Sequence, residues 1–299
     1  MSRIGEQLGF DTTARLVLPH IDDVGCATGA NAAFADLHDN GFVTSGSVMV
    51  PAAGFEAAAA NAAATPGIDL GVHLTLTSES PNERWRPLTA TSPAGGLVDD
   101  DGFMWPNVAA VRANAVPAAV DEELRAQVEL AGAAGIDVTH LDHHMGATLA
   151  PELAKITIDI AAEHRLPVLL PGDPAAYFSA VNLSDVDVAT LEALIAAAHD
   201  TSWAVTVDAF EIGLEHKGEP CDVVTKRFIT SAGPGITFLS FHCSAPGDIA
   251  AVHPGDHEWR VSEYRLLERD DFLEWVAGQD VEIIGFREIR DRITRRSLR

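Results

Sequence analysis

Short apolar runs alternate along the chain with segments in which apolar residues recur every three or four positions. The apolar runs, bounded by Gly, Pro or Asp, predict buried strands at 15–21, 43–50, 68–76, 136–138, 166–170, 203–207, 235–241 and 281–284. The periodic segments predict helices at 29–40, 55–64, 117–134, 151–165, 186–200, 219–230, 261–276 and from 286 onward. The pattern therefore indicates repeated strand–helix units.

This alternation runs through the chain with no Pro/Gly-rich linker and no internal repeat. Parallel strands joined by helices form either a barrel or an open doubly wound sheet. The unbroken order favours an α/β fold in which residues 1–299 form a single catalytic (β/α) barrel domain, distorted or incomplete, with seven to eight strands. An open doubly wound sheet stays an alternative. No GxGxxG or P-loop motif follows a predicted strand, so nucleotide phosphates are not expected.

The alternation lapses in a long irregular insertion at 77–116, which is rich in Pro, Gly, Asn and Asp. Such insertions in α/β domains are usually functional or disordered, and the aromatic residues in this one favour an ordered, lid-like loop. Trp85, flanked by Arg84 and Arg86, offers an aromatic face beside cationic donors and is predicted to bind a sugar ring. Packing of the loop on itself is an equally fair interpretation of the same residues.

A second irregularity is the sequence THLDHHMG at 139–146, which crowds three imidazoles and a carboxylate into five positions. On a strand, residues two apart share a face, so His140, Asp142 and His144 would project together and His143 would point away. This arrangement could place one nitrogen on a metal while the other groups orient it. A solvated His-rich turn is the alternative.

Matching residues stand at or near the carboxyl ends of other predicted strands: Asp22, Asp23, His73 and His242, with His144 of the cluster. Active sites of α/β barrels collect at this end. One carboxylate and two imidazoles with open coordination positions are typical of a catalytic metal site, which leaves a second Asp free to act as a base. Mixed nitrogen and oxygen ligation favours Zn, Co, Mn or Fe over Mg. A helix N-cap followed by a solvated turn is the alternative for the two aspartates.

Composition narrows the classes of partner. The formal net charge of −24 argues against nucleic acid, because phosphate backbones bind Lys/Arg surfaces. The chain has three cysteines and no CxxC pair, which argues against a disulfide framework and a thiolate zinc site. No apolar run reaches membrane-spanning length and no export signal is recognisable, so we expect a cytoplasmic protein without a membrane partner. The oligomeric state, including a homo-oligomer, is left open.

Five segments in chain order resemble the motifs of the YdjC-like carbohydrate deacetylases, a group distantly related to the NodB polysaccharide deacetylases. They are LVLPHIDDVG at 16–25, GFVTSGS at 41–47, GVHL at 71–74, THLDHHMG at 139–146 and FH at 241–242. The resemblance implies a divalent metal held by Asp23, His73 and His144, with Asp22 as the general base and His242 as the acid that protonates the leaving amine. It implies Mg, whereas the ligand chemistry favours Zn, Co or Mn.

Two positions depart from the family pattern. His20 stands where the family usually has Asn, and His143 where Ser is common. Neither change removes a ligand, but both add a titratable group near the site.

The sequence therefore predicts a metal-dependent hydrolase that deacetylates an N-acetylated sugar or small oligosaccharide. His140 and Asp142 are expected to orient His144 or the base. Two alternatives stay open: another metal-dependent hydrolase on the same barrel, either a phosphoesterase or a cyclic amidohydrolase, and a catalytically silent sugar-binding protein. For the first alternative, the nearest approach to a His-x-His pair near the first strand is His20-Ile21-Asp22.

Overall fold

Parallel pairing joins nine strands into one sheet in the computed structural model, which describes residues 3–89, 93–181, 186–198, 203–216 and 218–297. The strands are β1 (Arg15–Val24), β2 (Ser45–Val48), β3 (Leu70–Leu74), β4 (Leu141–His143), β5 (Val168–Pro171), β6 (Ala204–Val207), β7 (Ala209–Ile212), β8 (Gly235–Phe241) and β9 (Glu282–Ile283). Short 3₁₀ turns lie at Pro93–Gly95, His144–Leu149 and Gly213–His216.

Helices connect these strands and pack around them. They are α1 (Arg3–Leu8), α2 (Thr28–Leu37), α3 (Phe55–Ala64), α4 (Val108–Asn114), α5 (Pro117–Ala133), α6 (Pro151–His164), α7 (Pro174–Ala180), α8 (Val188–Ala198), α9 (Cys221–Ser231), α10 (Ile249–Val252), α11 (His257–Leu267), α12 (Asp270–Ala277) and α13 (Phe286–Ser297). Because helices separate most of the parallel strands, the connections are the crossovers that an α/β barrel requires.

The two ends of the sheet meet at one extended segment, 204–212. The hydrogen-bonded order is β6-β5-β4-β3-β2-β1-β8-β7, with β9 paired to β1. Asp208 interrupts the segment: β6 on one side of it pairs with β5, and β7 on the other side pairs with β8. The Asp208 N–H donates to the carbonyl of Ile236, whose N–H donates back to the Asp208 carboxylate. The sheet is therefore a nearly closed parallel barrel, which confirms the predicted (β/α) architecture.

The interior of the barrel changes from apolar to polar toward the carboxyl ends of the strands. Alternate residues of β1 follow this gradient as Leu16, Leu18, His20 and Asp22. Leu16 and Leu18 belong to a buried apolar cluster that also contains Phe286, the first residue of α13. Residues of β1 that point the other way join the larger apolar core beneath the helices. The polar layer therefore rests on a packed apolar base that holds it in place.

Several predicted boundaries are wrong. The strand expected at 136–138 is absent and β4 begins only at Leu141, because the backbone of this segment bonds elsewhere: the Ile136 N–H donates to the Ala131 carbonyl of α5, and the Val138 carbonyl accepts from Arg290 of α13. The loop expected at 171–185 contains α7, which the side chain of Asp173 caps, and residues 182–185 lie outside the described part of the chain. The helix expected at 261–276 is two helices, α11 and α12, because the backbone at Arg269 is extended.

The insertion at 77–116 is held to the barrel by ordered contacts along its described residues; 90–92 lie outside them. It contains α4 and two isolated β-bridges, which pair Thr77 with Trp105 and Val98 with Met104. The indole N–H of Trp105 donates to the carbonyl of Gly96 at 2.7 Å. These contacts join distant parts of the insertion, and its role as a lid stays a prediction.

Two buried polar residues of α5 connect this insertion to β3. The carboxylate of Glu123, which has no exposed surface, accepts from the N–H groups of Leu88 and Thr89 at 3.0 and 2.9 Å and from the Thr89 hydroxyl at 2.8 Å. The amide of Gln127 bonds both the N–H and the carbonyl of Thr75 and donates to Glu123 at 2.9 Å. One side chain thus satisfies three donors of the insertion.

Among the described residues, no helix is long and apolar enough to cross a membrane.

We expect the Glu123→Ala variant to lower the free energy of unfolding by about 2–4 kcal/mol, because it removes the acceptor of the three partly buried donors of Leu88 and Thr89 and of the buried Gln127 amide. Urea denaturation monitored by circular dichroism measures this loss. Glu122→Ala is the matched control, since Glu122 lies on the exposed side of the same helix. Equal stability of the two variants would contradict the assignment of Glu123 as the anchor of the insertion.

Candidate active site

A cavity of about 350 Å³ opens among side chains at the carboxyl ends of the strands. One part of its wall is charged and includes Asp22, Asp23, His73, His144, His242 and Arg260. The opposite part is largely apolar and includes Met145, Tyr177, Phe210 and Leu214. A small molecule with a polar reacting end and a less polar body would match this division.

The end of β1 is distorted so that two adjacent carboxylates reach the cavity. Adjacent residues of a regular strand point to opposite faces. The pairing register of β1 with β2 shifts between Ile21 and Val24, and Asp23 has a φ of 61°. Asp tolerates this left-handed conformation better than most residues. The bulge explains how Asp22 and Asp23 line the same cavity.

Asp23, His73 and His144 bring three donor atoms together at the wall of the cavity. Oδ1 of Asp23 lies 3.3 Å from Nε2 of His73 and 3.1 Å from Nδ1 of His144. All three atoms lie within 4.8 Å of one another. His144 reaches this point from the 3₁₀ turn after β4, where Met145 and Gly146 both have positive φ. The three residues that the resemblance implies as ligands therefore share one position.

Two further groups of donor atoms within the described residues satisfy the same separation, and both include Asp142. In one, His20 and His140 are fully buried. In the other, Asp142 accepts from Nδ1 of His73 at 2.8 Å and from the Ser47 hydroxyl at 2.8 Å. Asp142 is therefore occupied with internal hydrogen bonds, and the group of Asp23 is better placed for an ion that also contacts a substrate.

The second nitrogen of each candidate imidazole ligand is held by a carboxylate. Nδ1 of His73 donates to Asp142, and Nε2 of His144 donates to Glu79 at 2.9 Å. Metal-binding histidines usually have such a partner, which fixes the orientation of the ring and the nitrogen that faces the ion. Both rings are therefore set up to present one nitrogen each to the same point.

Arg260 of α11 holds the third candidate ligand. Its Nη1 donates to Oδ2 of Asp23 at 2.8 Å, and both side chains are buried. Burial by itself raises the pKa of Asp23, but the charge of Arg260 and hydrogen bonds to the two imidazoles bring it well below the usual range. Asp23 is therefore held as an anion.

The two imidazoles bind protons tightly when no metal is bound. Burial lowers the pKa of His144, but the charge of Glu79 and the hydrogen bonds that the ring donates to Asp23 and Glu79 outweigh it and raise the pKa to about 9. Burial also acts against protonation of His73, yet the charge of Asp142 and its hydrogen bond raise that pKa well above the ordinary value. An incoming cation must therefore displace these protons.

Asp22 is held by two donors from inside the barrel. Its Oδ1 accepts from Nδ1 of His20 at 2.6 Å, and its Oδ2 accepts from the Ser240 hydroxyl at 2.8 Å. Burial raises the pKa of Asp22, while the hydrogen bond from His20 lowers it, so that on balance the pKa lies below the usual value. Asp22 is therefore ionised and points at the cavity, as a general base must.

His242 lies directly after β8, next to Asp22. Its Nε2 is 3.7 Å from Oδ2 of Asp22, and its backbone N–H donates to Glu263 at 2.6 Å. Its Nδ1 is buried and has no partner among the described residues. Burial lowers the pKa of His242, although the charges of Asp23 and Asp22 oppose this shift. The ring is therefore neutral and able to accept a proton from its neighbour.

The remaining members of the histidine cluster have separate partners. Asp142 orients His73, and His140 reaches Asp22 through His20, whose Nε2 lies 2.9 Å from Nε2 of His140. No direct contact of His140 or Asp142 with His144 appears among the described hydrogen bonds. The two ring nitrogens of His143 contact the Leu169 carbonyl and the Thr148 hydroxyl, but the residue also lines the cavity, so the expectation that it points away from the site is wrong.

The structure gives the predicted sugar-binding residues partners inside the insertion. Arg84 pairs with Asp99, and Arg86 donates to carbonyl groups of Asp101 and Gly102. Both guanidinium groups lie over the ring of Phe103. Trp85 is buried, and its indole donates to the Thr77 carbonyl, with its ring centroid 6.3 Å from that of His144. None of the three lines the cavity, so their contact with a sugar stays a prediction.

Sequence reasoning missed three residues of the site. Glu79 lies on a loop and Arg260 on a helix. Polar residues are common on both, so neither residue indicates a functional site from the sequence. Tyr177 of α7 lines the cavity, and its hydroxyl lies so near Gly146 that a Cβ added there would be 2.8 Å away. Burial raises the pKa of Tyr177, so its phenol stays protonated and can donate a hydrogen bond.

Comparison with known proteins agrees with this geometry. A carbohydrate deacetylase of Thermus thermophilus is 39% identical over 166 residues, which are 56% of this chain and 57% of that protein. One of Brevibacillus brevis is 34% identical over 155 residues, 52% of this chain and 59% of that protein. The chain thus matches less than two thirds of the length of these two relatives. Carbohydrate deacetylase 1 of Listeria innocua is 26% identical over 281 residues, 91% of this chain and 99% of that protein.

A crystal structure of a protein from Enterococcus faecalis V583, named for cellobiose-phosphate cleavage, has the same fold. It superposes with a TM-score of 0.72 at 18% identity and covers 92% of this chain and 98% of that one. The profile of YdjC-like proteins matches residues 16–278, which is most of the sequence. This chain belongs to the YdjC-like protein family.

Proposed function

We propose that this protein is a metal-dependent hydrolase that removes the acetyl group from an N-acetylated sugar or a small oligosaccharide. The observation that carries the proposal is the meeting of Asp23, His73 and His144 at one point of the cavity, with Asp22 and His242 beside it. The relatives named carbohydrate deacetylases support this choice of reaction.

The donor set fits a divalent cation. One carboxylate and two imidazoles face a common point, their distal atoms are held by Arg260, Asp142 and Glu79, and the cavity leaves room for further ligands. A divalent ion in such a site polarises a carbonyl oxygen and makes water more acidic. The family resemblance favours Mg, whereas the nitrogen ligands favour Zn, Co or Mn.

In this reaction Asp22 takes a proton from the water that attacks the acetyl carbonyl. A new bond forms between the water oxygen and the carbonyl carbon, and the negative charge moves to the carbonyl oxygen. Tyr177 is the protonated donor on the apolar side of the cavity and is available to that oxygen or to a hydroxyl of the sugar.

Release of the amine needs a proton on its nitrogen as the carbon–nitrogen bond breaks. His242 lies 3.7 Å from Asp22 and is neutral, so it can receive the proton of the attacking water from Asp22 and donate it to the leaving nitrogen. The products are acetate and the free amine of the sugar. Every proton needed for the reaction comes from the water.

We expect the purified protein, supplied with Co²⁺, Zn²⁺ or Mg²⁺, to release acetate from N-acetylated mono- and disaccharides. In the Asp22→Asn variant metal content should be unchanged and kcat about 10²- to 10⁴-fold lower, because the variant lacks the base. In His144→Ala both metal and activity should be lost. Acetate assays and metal analysis by mass spectrometry measure these effects.

His164→Ala is the control for the histidine variant, since His164 is exposed at the end of α6 and should change neither metal content nor rate. A phosphate monoester and a cyclic amide serve as control substrates. Turnover of either without acetate release would contradict the proposal, and an active Asp22→Asn variant would contradict the assignment of the base.

We also expect metal binding to release protons and to weaken as the pH falls. Because His144 has a pKa of about 9 and His73 is raised as well, both rings are mainly protonated below that pH and must lose a proton when the ion binds. The affinity should therefore fall about tenfold or more between pH 8 and pH 7, whereas ordinary histidines would give about a twofold change.

Titration calorimetry with Co²⁺ in buffers of different ionisation enthalpy counts these protons. We expect between one and two protons released per ion at pH 7.5. Release of less than half a proton would contradict the protonated state assigned to the metal-free site.

A further inference from the structure

A row of polar side chains continues from Asp22 into the barrel, away from the cavity. Nδ1 of His20 lies 2.6 Å from Oδ1 of Asp22, Nε2 of His20 lies 2.9 Å from Nε2 of His140, and Nδ1 of His140 lies 3.0 Å from the Thr139 hydroxyl. His20, His140 and Thr139 have no exposed surface. These residues therefore cannot touch a substrate and can act on a reaction only through Asp22.

With both rings neutral, one arrangement of protons satisfies every contact in this row. The ionised Asp22 requires a proton on Nδ1 of His20. Nε2 of His20 is then bare and must accept from Nε2 of His140. Nδ1 of His140 is then bare in turn and accepts the proton of the Thr139 hydroxyl. The tautomer of each ring is thus determined by its neighbour.

Neighbouring residues hold the ring of His140 in place, and burial keeps it uncharged. Phe286 stacks on one side of it, with ring centroids 3.7 Å apart and an angle of 13° between the planes. Gly71 lies against it, and a Cβ there would come within 2.5 Å of the ring. Burial keeps the pKa of His140 well below its ordinary value, so the ring is neutral.

Two other carboxylates face the pair. Oδ2 of Asp142 lies 3.7 Å from Nε2 of His20, but it already accepts the Ser47 hydroxyl at 2.8 Å. Oδ1 of Asp69 lies 4.0 Å from Nδ1 of His140, beyond hydrogen-bond distance. Neither carboxylate is therefore a hydrogen-bond partner of a ring nitrogen in the row.

We propose that His20 and His140 are positioning residues for the base: His140 sets the tautomer of His20, and the Nδ1–H of His20 then fixes the carboxylate of Asp22. This inference rests on the proposed function for the role of Asp22 as base, but the tautomers themselves do not depend on it. Asn is the residue expected at position 20 from the family resemblance, and its amide can donate to Asp22 without help from a second ring.

Long-range ¹H–¹⁵N spectra of ¹⁵N-histidine-labelled protein, recorded without metal at pH 7.5, test the tautomers directly. His20→Asn and His140→Phe identify the two sets of signals among the 12 histidines. We expect the Nδ1–H form of His20 and the Nε2–H form of His140. A protonated His20, or the opposite tautomer of either ring, would overturn the proposal whether or not acetate release is observed.

Measurements of kcat and KM for acetate release use the same two substitutions, singly and together. Unfolding temperature and metal content show whether each variant keeps its fold. His140→Phe should lower kcat about tenfold with an unchanged KM, because His20 loses the partner that sets its tautomer. His20→Asn is the background for the double variant, and adding His140→Phe to it should lower kcat less than about twofold, because no ring then connects position 140 to Asp22. An equal loss from His140→Phe in both backgrounds would show that the ring acts by packing and would overturn the proposal.

Discussion

The buried carboxylates at the carboxyl end of the barrel are the constraint on which the site depends. Asp22, Asp23 and Asp142 are buried and Glu79 is partly buried beside them, and an unpaired ion in such a place would cost several kcal/mol. Pairing lowers the pKa of each of the four despite burial. The positive charges that compensate these carboxylates come from Arg260, which is always charged, and from the imidazoles of His73 and His144, which are charged only while they are protonated.

This balance relates folding to metal binding. Replacement of two imidazole protons by one divalent ion leaves the total charge of the cluster unchanged, so the network that stabilises the metal-free fold is also preorganised for the ion. Because the members share partners, removal of one changes the protonation of the others. The energies of single substitutions in the cluster are therefore not expected to add.

The sequence predicted the barrel and the face on which the site lies, because both follow from residue spacing. The order of strands and helices identified the architecture, whereas alternation by two failed for His143, which lines the cavity beside His144. The role of the two adjacent aspartates could not follow from spacing, since a regular strand would separate them and only the bulge at Asp23 brings them together. Glu79 and Arg260 carry no periodic signal, because they act through contacts made far apart in the chain.

The surroundings of the two aspartates explain why neighbours in the chain can have different roles. Asp23 faces the guanidinium of Arg260, which does not lose its charge, and so a proton on Asp23 would have to overcome a fixed cation. Asp22 is held by an imidazole and a hydroxyl, whose hydrogen bonds can rearrange when its charge changes. A carboxylate paired with a guanidinium, as Asp23 is, is suited to hold an ion throughout a reaction. A carboxylate held by an imidazole and a hydroxyl, as Asp22 is, is suited to take up a proton and release it. The difference lies in the partners that the barrel supplies and not in the aspartates themselves.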